Sequence, residues 1–221
     1  LHWYGASYGT QLGATYADLF PHKVGRMVLD GAVDTALDTV GSSKGQAEGF
    51  HRALVAYLDS CVVTGDCPVG DSVDEGISTI STLLESLDQK PMELADGRLL
   101  TESHGSFGIA VALYSDESWP MLTTALRNVL DGDPKMLMFL ADAYFERQPD
   151  GSFANNSGQV ITAISCLDSP GGLTVEEVKE IIPEFTKVSP VFGKFLAWGT
   201  FSCGNWPLST ENTQQKTVAA G

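Results

Sequence analysis

Two patterns of apolar and polar residues follow each other along the chain, and the change comes near residue 42. In the first part, short apolar runs at residues 1–4 and 27–33 flank a helix-compatible run at residues 10–17. A short apolar run bounded by turn residues is typical of a parallel strand that is buried on both faces. We therefore predict a strand–helix–strand unit over residues 1–41, as part of a doubly wound sheet.

Helical periodicity dominates the second part, residues 42–206. Apolar residues recur every three or four positions in the segments 50–61, 71–91, 107–114, 119–130, 136–145 and 191–198. An Asp-Gly pair at residues 96–97 predicts a hairpin over 93–100, and residues 160–166 fit either a helix or a strand. The Thr-Val-Glu-Glu run at 174–177 is a capping box that predicts another helix start. We call residues 42–206 the helical body, and we expect residues 207–221 to be a polar linker.

Charge and composition exclude several classes of partner. The formal net charge of the 221 residues is −15, whereas nucleic acids and anionic membranes bind surfaces rich in Lys and Arg. No run of apolar residues is long enough for a transmembrane helix. We expect no metal and no cofactor, because the cysteines and histidines lack the usual spacing of zinc ligands.

Four cysteines, Cys61, Cys67, Cys166 and Cys203, allow three pairings. We expect a Cys61–Cys67 bridge, because these residues bracket a Thr-Gly-Asp turn, and a Cys166–Cys203 bridge that closes a long loop. Two bridges indicate an oxidising compartment and therefore export. The alternative is four reduced, buried cysteines in a cytosolic protein.

The motif that carries chemistry is Gly-Ala-Ser-Tyr-Gly at residues 5–9. It lies between the first strand and the first helix, which is the arrangement of a nucleophile elbow with Ser7 as the nucleophile. We expect both flanking glycines to be required, because a Cβ at either position would crowd the turn. The first backbone N–H groups of the helix would point to the position of an oxyanion. The alternative is a structural serine in a glycine-rich turn.

The sequence around this motif resembles the secreted tripeptidyl aminopeptidases of actinobacteria, which are α/β-hydrolase serine exopeptidases related to prolyl aminopeptidases. The resemblance is carried by residues 4–13, 16–21 and 24–34, and by later landmarks at 114–120, 163–168 and 203–207. It implies that the chain is an α/β-hydrolase fragment, with a strand–helix–strand stub and a mostly α-helical cap. The helical body would be that cap, and residues 207–221 would return toward the rest of the hydrolase core.

The resemblance also implies a mechanism. Ser7 attacks a carbonyl, a histidine accepts its proton, an aspartate orients that histidine, and the N–H of Tyr8 is one oxyanion donor. In the family the second oxyanion donor lies upstream of the elbow, and the acid and base follow the cap. We therefore expect this segment alone to be inactive. Asp30, at the end of the second predicted strand, is an alternative acid, although such a residue more often holds a loop through backbone hydrogen bonds.

An aminopeptidase has to bind a free ammonium group, for which carboxylates of the cap are natural partners. The first candidate is Asp168, and the alternative role for this residue is a turn or helix cap. Glu117 and Glu146 are weaker candidates, because most helical glutamates face water.

These observations predict a serine-dependent exopeptidase that releases tripeptides from free N-termini and is secreted or located in the cell envelope of a bacterium. One alternative is a secreted carboxylesterase of the same fold, since the fold does not determine the substrate. Another is a non-catalytic module that binds peptides or a partner protein. An exposed sheet edge at residues 27–33 would also favour self-association.

Overall fold

A computed structural model describes residues 1–168, 171–204 and 206. Its first part is the expected strand–helix–strand unit. Strand β1 spans Trp3–Ala6, helix α1 spans Tyr8–Leu19, a 3₁₀ turn follows at Pro21–Lys23, and strand β2 spans Met27–Asp30. The two strands are parallel, with Trp3 opposite Met27 and Ala6 opposite Asp30. Both strands are four residues long, so β2 ends earlier than the apolar run of the sequence.

The two faces of this small sheet differ. On one face α1 packs closely, since a Cβ added to Gly13 would come within 2.7 Å of Leu29 Cδ2 and 2.8 Å of Trp3 Nε1. On the other face Tyr4 and Val28, which are paired in register, are 66% and 58% exposed. The expectation that the second strand is buried on both faces is therefore wrong for the described residues, because they cover only the α1 side.

The helical body consists mainly of α-helices, with one short hairpin. Its elements are α2 (Thr39–Val63), α3 (Val73–Gln89), β3 (Met92–Glu93), β4 (Leu99–Leu100), α4 (Glu102–Ala112), a 3₁₀ turn (Asp116–Ser118), α5 (Trp119–Leu130), α6 (Lys135–Tyr144), α7 (Ser157–Asp168), α8 (Val175–Val188) and α9 (Gly193–Gly199). The hairpin strands are antiparallel, as the Asp-Gly turn predicts. Residues 160–166, which fitted a helix or a strand, are helical. Thr174 and Glu177 form the predicted capping box at the start of α8.

A continuous apolar core stabilises the helical body. The largest fully buried side chains come from helices α2 to α6, the helices α8 and α9 with their flanks, and the hairpin: Tyr57, Phe185, Phe192, Leu54, Leu58, Ile80, Leu87, Leu100, Ile109, Leu122, Leu126 and Leu137. None of them belongs to the strand–helix–strand unit. The core that holds the described structure together therefore lies in the helical body.

Two disulfides are present, and they have the expected pairing. Cys61–Cys67 closes the turn after α2, and Cys166–Cys203 joins α7 to the segment after α9. Within the described residues, no helix is both long and apolar enough to cross a membrane. The predicted linker, residues 207–221, lies outside the described residues.

Candidate active site

Ser7 lies at the turn between β1 and α1 in a backbone conformation that serine rarely adopts. Its φ is 49° and its ψ is −116°. A positive φ brings Cβ close to the neighbouring backbone and is unfavourable for any residue except glycine. Strain of this kind persists only where the surrounding structure enforces it, and it is concentrated at functional sites. The turn is therefore a strained strand-to-helix elbow with Ser7 at its tip.

The two glycines of the elbow have different roles. A Cβ on Gly5 would lie 2.2 Å from the carbonyl oxygen of Gly9, so this position accepts only glycine without movement of the turn. A Cβ on Gly9 would meet no atom within 4 Å. The expectation that both glycines are required by crowding is confirmed for Gly5 and wrong for Gly9, because Gly9 approaches the turn through its backbone oxygen.

Hydrogen bonds fix the elbow to the end of β2. The N–H of Ser7 donates to the carbonyl oxygen of Asp30 at 2.9 Å. The buried hydroxyl of Thr10 donates to the carbonyl oxygen of Ser7 at 2.6 Å and accepts from the N–H of Val33 at 2.9 Å. Thr10 thus joins the backbone of Ser7 to the loop after β2. No sequence motif pointed to Thr10, because a threonine in the first turn of a helix is ordinary.

Tyr8 connects the elbow to the helical body. Its hydroxyl donates a hydrogen bond to Oδ2 of Asp168 at the end of α7, although the two residues are 160 positions apart in the sequence. Burial, together with this hydrogen bond and the negative charge of Asp168, raises the pKa of Tyr8 to about 12. The phenol therefore stays protonated at neutral pH and can act as a donor. The structure thus places Asp168, the first carboxylate candidate, in contact with the residue that follows Ser7.

A cavity of about 920 Å³ opens at Ser7 and Tyr8. We call it the serine cavity. Helices α2, α4, α7 and α9 provide most of its wall, through Phe50, Phe107, Ile161, Ile164 and Trp198 among others. The helical body therefore lies over Ser7 and shapes the space in front of it, which is the position expected of a cap.

Among the described residues that line the serine cavity, the carboxylate is Glu102, at the start of α4. Its Oε2 accepts from Lys194 Nζ at 3.0 Å, and the same ammonium also donates to Asp88 at 2.8 Å. The three groups together keep one formal negative charge. The sequence analysis missed Glu102, because a glutamate in the first turn of a helix is ordinarily explained by the helix dipole.

Two other predicted carboxylates lie elsewhere. Glu117 is exposed in the 3₁₀ turn before α5 and is not among the residues that line the serine cavity. Glu146 lines a neighbouring cavity, where its carboxylate accepts from Asn155 at 2.7 Å. Asp30 contributes its main chain to the elbow, while its carboxylate accepts from the hydroxyl of Tyr4 at 3.2 Å.

No histidine is among the described residues that line the serine cavity. His104 forms a capping box with Thr101 at the start of α4, and burial lowers its pKa. His2 accepts from the N–H of Arg26 at 3.0 Å, and His51 lies on α2. His22 is exposed in the 3₁₀ turn after α1. The described lining of the serine cavity therefore provides Ser7 and one carboxylate, and no imidazole.

The chain is similar in sequence to several known proteins. The chain is 32% identical over 235 residues to Serine protease Hip1 of Mycobacterium tuberculosis, which covers 100% of this chain and 44% of that protein. It is 31% identical over 210 residues to Carboxylesterase B of the same species, covering 91% of this chain and 39% of the relative. Tripeptidyl aminopeptidase of Streptomyces lividans is 25% identical over 215 residues, covering 96% and 39%. No protein-family model matches the chain.

These relatives support an α/β-hydrolase-like serine peptidase family for this chain. The chain spans less than half the length of the curated relatives that it matches. The parallel strands, the strained elbow and the helical body are compatible with this family. Within the family, the serine cavity is the candidate active site of a serine hydrolase, and the names of the relatives cover both peptidases and an esterase.

Proposed function

We propose that the protein is a serine-dependent exopeptidase that releases short peptides, tripeptides in particular, from free N-termini. The observation that carries this proposal is the strained Ser7 elbow at the entrance of a large cavity walled by the helical body. The similarity to a serine protease and to a tripeptidyl aminopeptidase supports it. A cavity of this size accommodates several residues of a peptide.

In the proposed reaction, Ser7 Oγ attacks the carbonyl carbon of the scissile amide and gives up its proton to an imidazole. The N–H of Tyr8 stabilises the oxyanion that forms. Collapse of this intermediate breaks the C–N bond, and the amine leaves with the proton. Water then hydrolyses the acyl-enzyme and releases the short peptide. The imidazole and its aspartate have to come from outside the described cavity, so we expect this chain alone to be inactive.

Asp168 is the proposed partner of the substrate's ammonium group. Its Oδ2 accepts from Tyr8, a residue that lines the serine cavity. Glu102 is the second candidate, but Lys194 already neutralises part of its charge. Asp168 is not among the described residues that line the serine cavity, and it ranks first because it binds Tyr8, which does line it. We keep Glu117 and Glu146 as weaker proposals, because Glu117 lies in the 3₁₀ turn before α5 and Glu146 lines the neighbouring cavity.

The proposed location is outside the cytoplasm, in the medium or the cell envelope. Two disulfides in a chain of this size support an oxidising compartment. We retain self-association through the open sheet as a further proposal, because Tyr4 and Val28 expose apolar surface beside unpaired strand edges.

The test compares kcat/KM of the full-length protein on a tripeptide p-nitroanilide with a free N-terminus and on its N-acetylated form. We expect hydrolysis of the free form, a large loss on acetylation, and no hydrolysis of either by Ser7→Ala. Asp168→Asn should raise KM for the free peptide far more than for the acetylated one. Equal rates on both peptides would refute the exopeptidase proposal.

A carboxylesterase is the second candidate, favoured by the 31% identity to Carboxylesterase B and by the largely apolar wall of the serine cavity. A kcat/KM that is higher on a p-nitrophenyl ester than on the peptide anilide, after correction for their intrinsic reactivities, would support it. A non-catalytic binding module is the third. It would bind peptides equally well after Ser7→Ala, and a fluorophosphonate would not label its Ser7.

A further inference from the structure

A second cavity of about 890 Å³ adjoins the serine cavity of about 920 Å³. We call it the distal cavity. Phe107, Tyr144 and Ile161 line both cavities. These three side chains form the boundary that the two cavities share, so a ligand that is seated in one cavity lies next to the other.

The wall of the distal cavity consists mainly of aromatic and aliphatic side chains and carries little charge. The ring of Phe107 lies 4.6 Å from that of Tyr144 and 4.7 Å from that of Phe145, between centroids. Phe153 and Ile161 are 54% and 63% exposed in the same wall. Among its described lining residues Glu146 is the one charged residue, and its carboxylate is already paired with Asn155. Such a wall favours a large apolar group and disfavours an anion.

The backbone of the distal cavity has one feature in common with the elbow. Within the described residues, the non-glycine residues with positive φ are Ser7, at 49°, and Glu146, at 52°. The first opens into the serine cavity, and the second lines the distal cavity. The positive φ of Glu146 follows from its place directly after the C-cap of α6, where the N–H of Arg147 donates to the carbonyl oxygen of Asp142 at 2.9 Å and ends the helix. Unlike the φ of Ser7, it is therefore explained by the end of a helix.

We propose that the distal cavity binds a large apolar group of the substrate while the scissile carbonyl lies at Ser7. This inference rests on the proposed function and names the substrate class as molecules with an aromatic or long aliphatic group attached near the scissile bond. The group can be the side chain of a peptide or the acyl chain of an ester, which share the same chemistry. The proposed function predicts the peptide.

The closing experiment fills the distal cavity in a Ser7→Ala background, so that no substrate is turned over. Gly158, in the first turn of α7, lines the distal cavity and does not line the serine cavity. A Cβ at this position would meet no atom within 4 Å. Gly158→Phe therefore introduces a ring at the wall of the distal cavity without a close contact at its Cβ. The matched control is Gly45→Phe at an exposed position of α2, which lines neither cavity and where a Cβ also meets no atom within 4 Å. Thr162→Phe, on the same face of α7, is the second filling variant.

Calorimetry on the full-length protein measures Kd for two sets of probes. The peptide set is trialanine amide and its three variants with one phenylalanine, and the ester set is methyl acetate and methyl hexanoate. Burial of one phenyl ring predicts that a phenylalanine peptide binds about tenfold or more tightly than trialanine amide. Both filling variants should remove this gain without changing the Kd of trialanine amide, and Gly45→Phe should leave every Kd unchanged.

The inference would be overturned if the larger apolar group tightened binding in neither set of probes. It would also be overturned if the tighter binding survived both filling variants. Equal weakening by Gly45→Phe would also overturn it, because the effect would then not come from the cavity. If only methyl hexanoate shows a gain that is sensitive to the filling variants, the distal cavity binds acyl chains. In that case the inference holds and the peptidase proposal fails.

Discussion

Different interactions stabilise the two regions of the molecule: hydrogen bonds in the strand–helix–strand unit and apolar burial in the helical body. In the unit, Tyr4 and Val28 are more than half exposed, and the elbow is fixed mainly by hydrogen bonds among Ser7, Thr10, Asp30 and Val33. In the helical body, side chains such as Leu54 and Leu126 are completely buried. The chemistry therefore lies on a part with little core of its own, and the cavity that receives the substrate is shaped by the part with a continuous core.

The largest expected effect separates the chemistry of Ser7 from its strain. Ser7→Ala and Ser7→Gly in the full-length protein should each lower kcat/KM by at least about 10⁴-fold, because both remove the nucleophile. Ser7→Gly should also be more stable than Ser7→Ala by about 1 kcal/mol, since only glycine is unstrained at positive φ. Steady-state kinetics and urea unfolding measure the two effects. Equal stability of the two variants would mean that the elbow is not strained.

The next prediction compares buried apolar groups in the two regions. Leu126→Ala should lower the free energy of unfolding of this chain by about 2–5 kcal/mol, because it leaves a cavity in a close-packed core. Val28→Ala should change it by less than about 0.5 kcal/mol, because that side chain is largely exposed. Urea unfolding followed by circular dichroism gives both values. A large loss for Val28→Ala would show that its face of the sheet is covered in solution, by a second copy for example.

A smaller effect is expected at the two elbow glycines. Gly5→Ala should destabilise the unit by about 1–3 kcal/mol, because the new Cβ overlaps the carbonyl oxygen of Gly9. Gly9→Ala lies in the first turn of α1, where the added Cβ is free of contacts, and should be tolerated. Hydrogen exchange at the N–H of Ser7, which donates to Asp30, reports the local opening. Similar exchange rates in both variants would contradict the close approach at Gly5.

The smallest expected effect is a pH dependence in the helical body. Burial lowers the pKa of His104, and its neutral Nδ1 lies 2.9 Å from the hydroxyl of Thr101. Because the pKa is lowered, the folded state favours neutral His104. The stability that the neutral form contributes is present above the ordinary pKa of about 6.5 and is lost as the pH falls below it. His104→Gln keeps an acceptor at the same capping position without a titrating group. Lowering the pH from 7.5 to 5 should therefore reduce the free energy of unfolding of the unchanged chain more than that of this variant. Equal reductions in the two proteins would refute the assignment.

The sequence predicted the elements well wherever the evidence was local. The elbow follows from a strand, a turn with glycines and a helix in immediate succession, and α8 follows from the capping box of Thr174 and Glu177. Burial of β2 was predicted wrongly, because the apolar run shows what the strand can bury and does not show which neighbours cover it.

The candidate site was only partly predictable. Ser7 is marked by its motif, but the contact between Tyr8 and Asp168 joins residues that are 160 positions apart. Glu102 looks like any glutamate at a helix start, and its place in the serine cavity depends on how α4 packs against α9. Such contacts arise from tertiary packing, which no spacing in the sequence records.

The central claim is that Ser7 is an activated nucleophile facing the serine cavity. The direct measurement is mass spectrometry of the native full-length protein after reaction with a fluorophosphonate, with peptide mapping of the modified residue. We predict one adduct on Ser7, absent from heat-unfolded protein and from Ser7→Ala, and formed more slowly in the presence of a tripeptide with a free N-terminus. A native protein that remains unlabelled at Ser7, or is labelled equally well after unfolding, would contradict the claim.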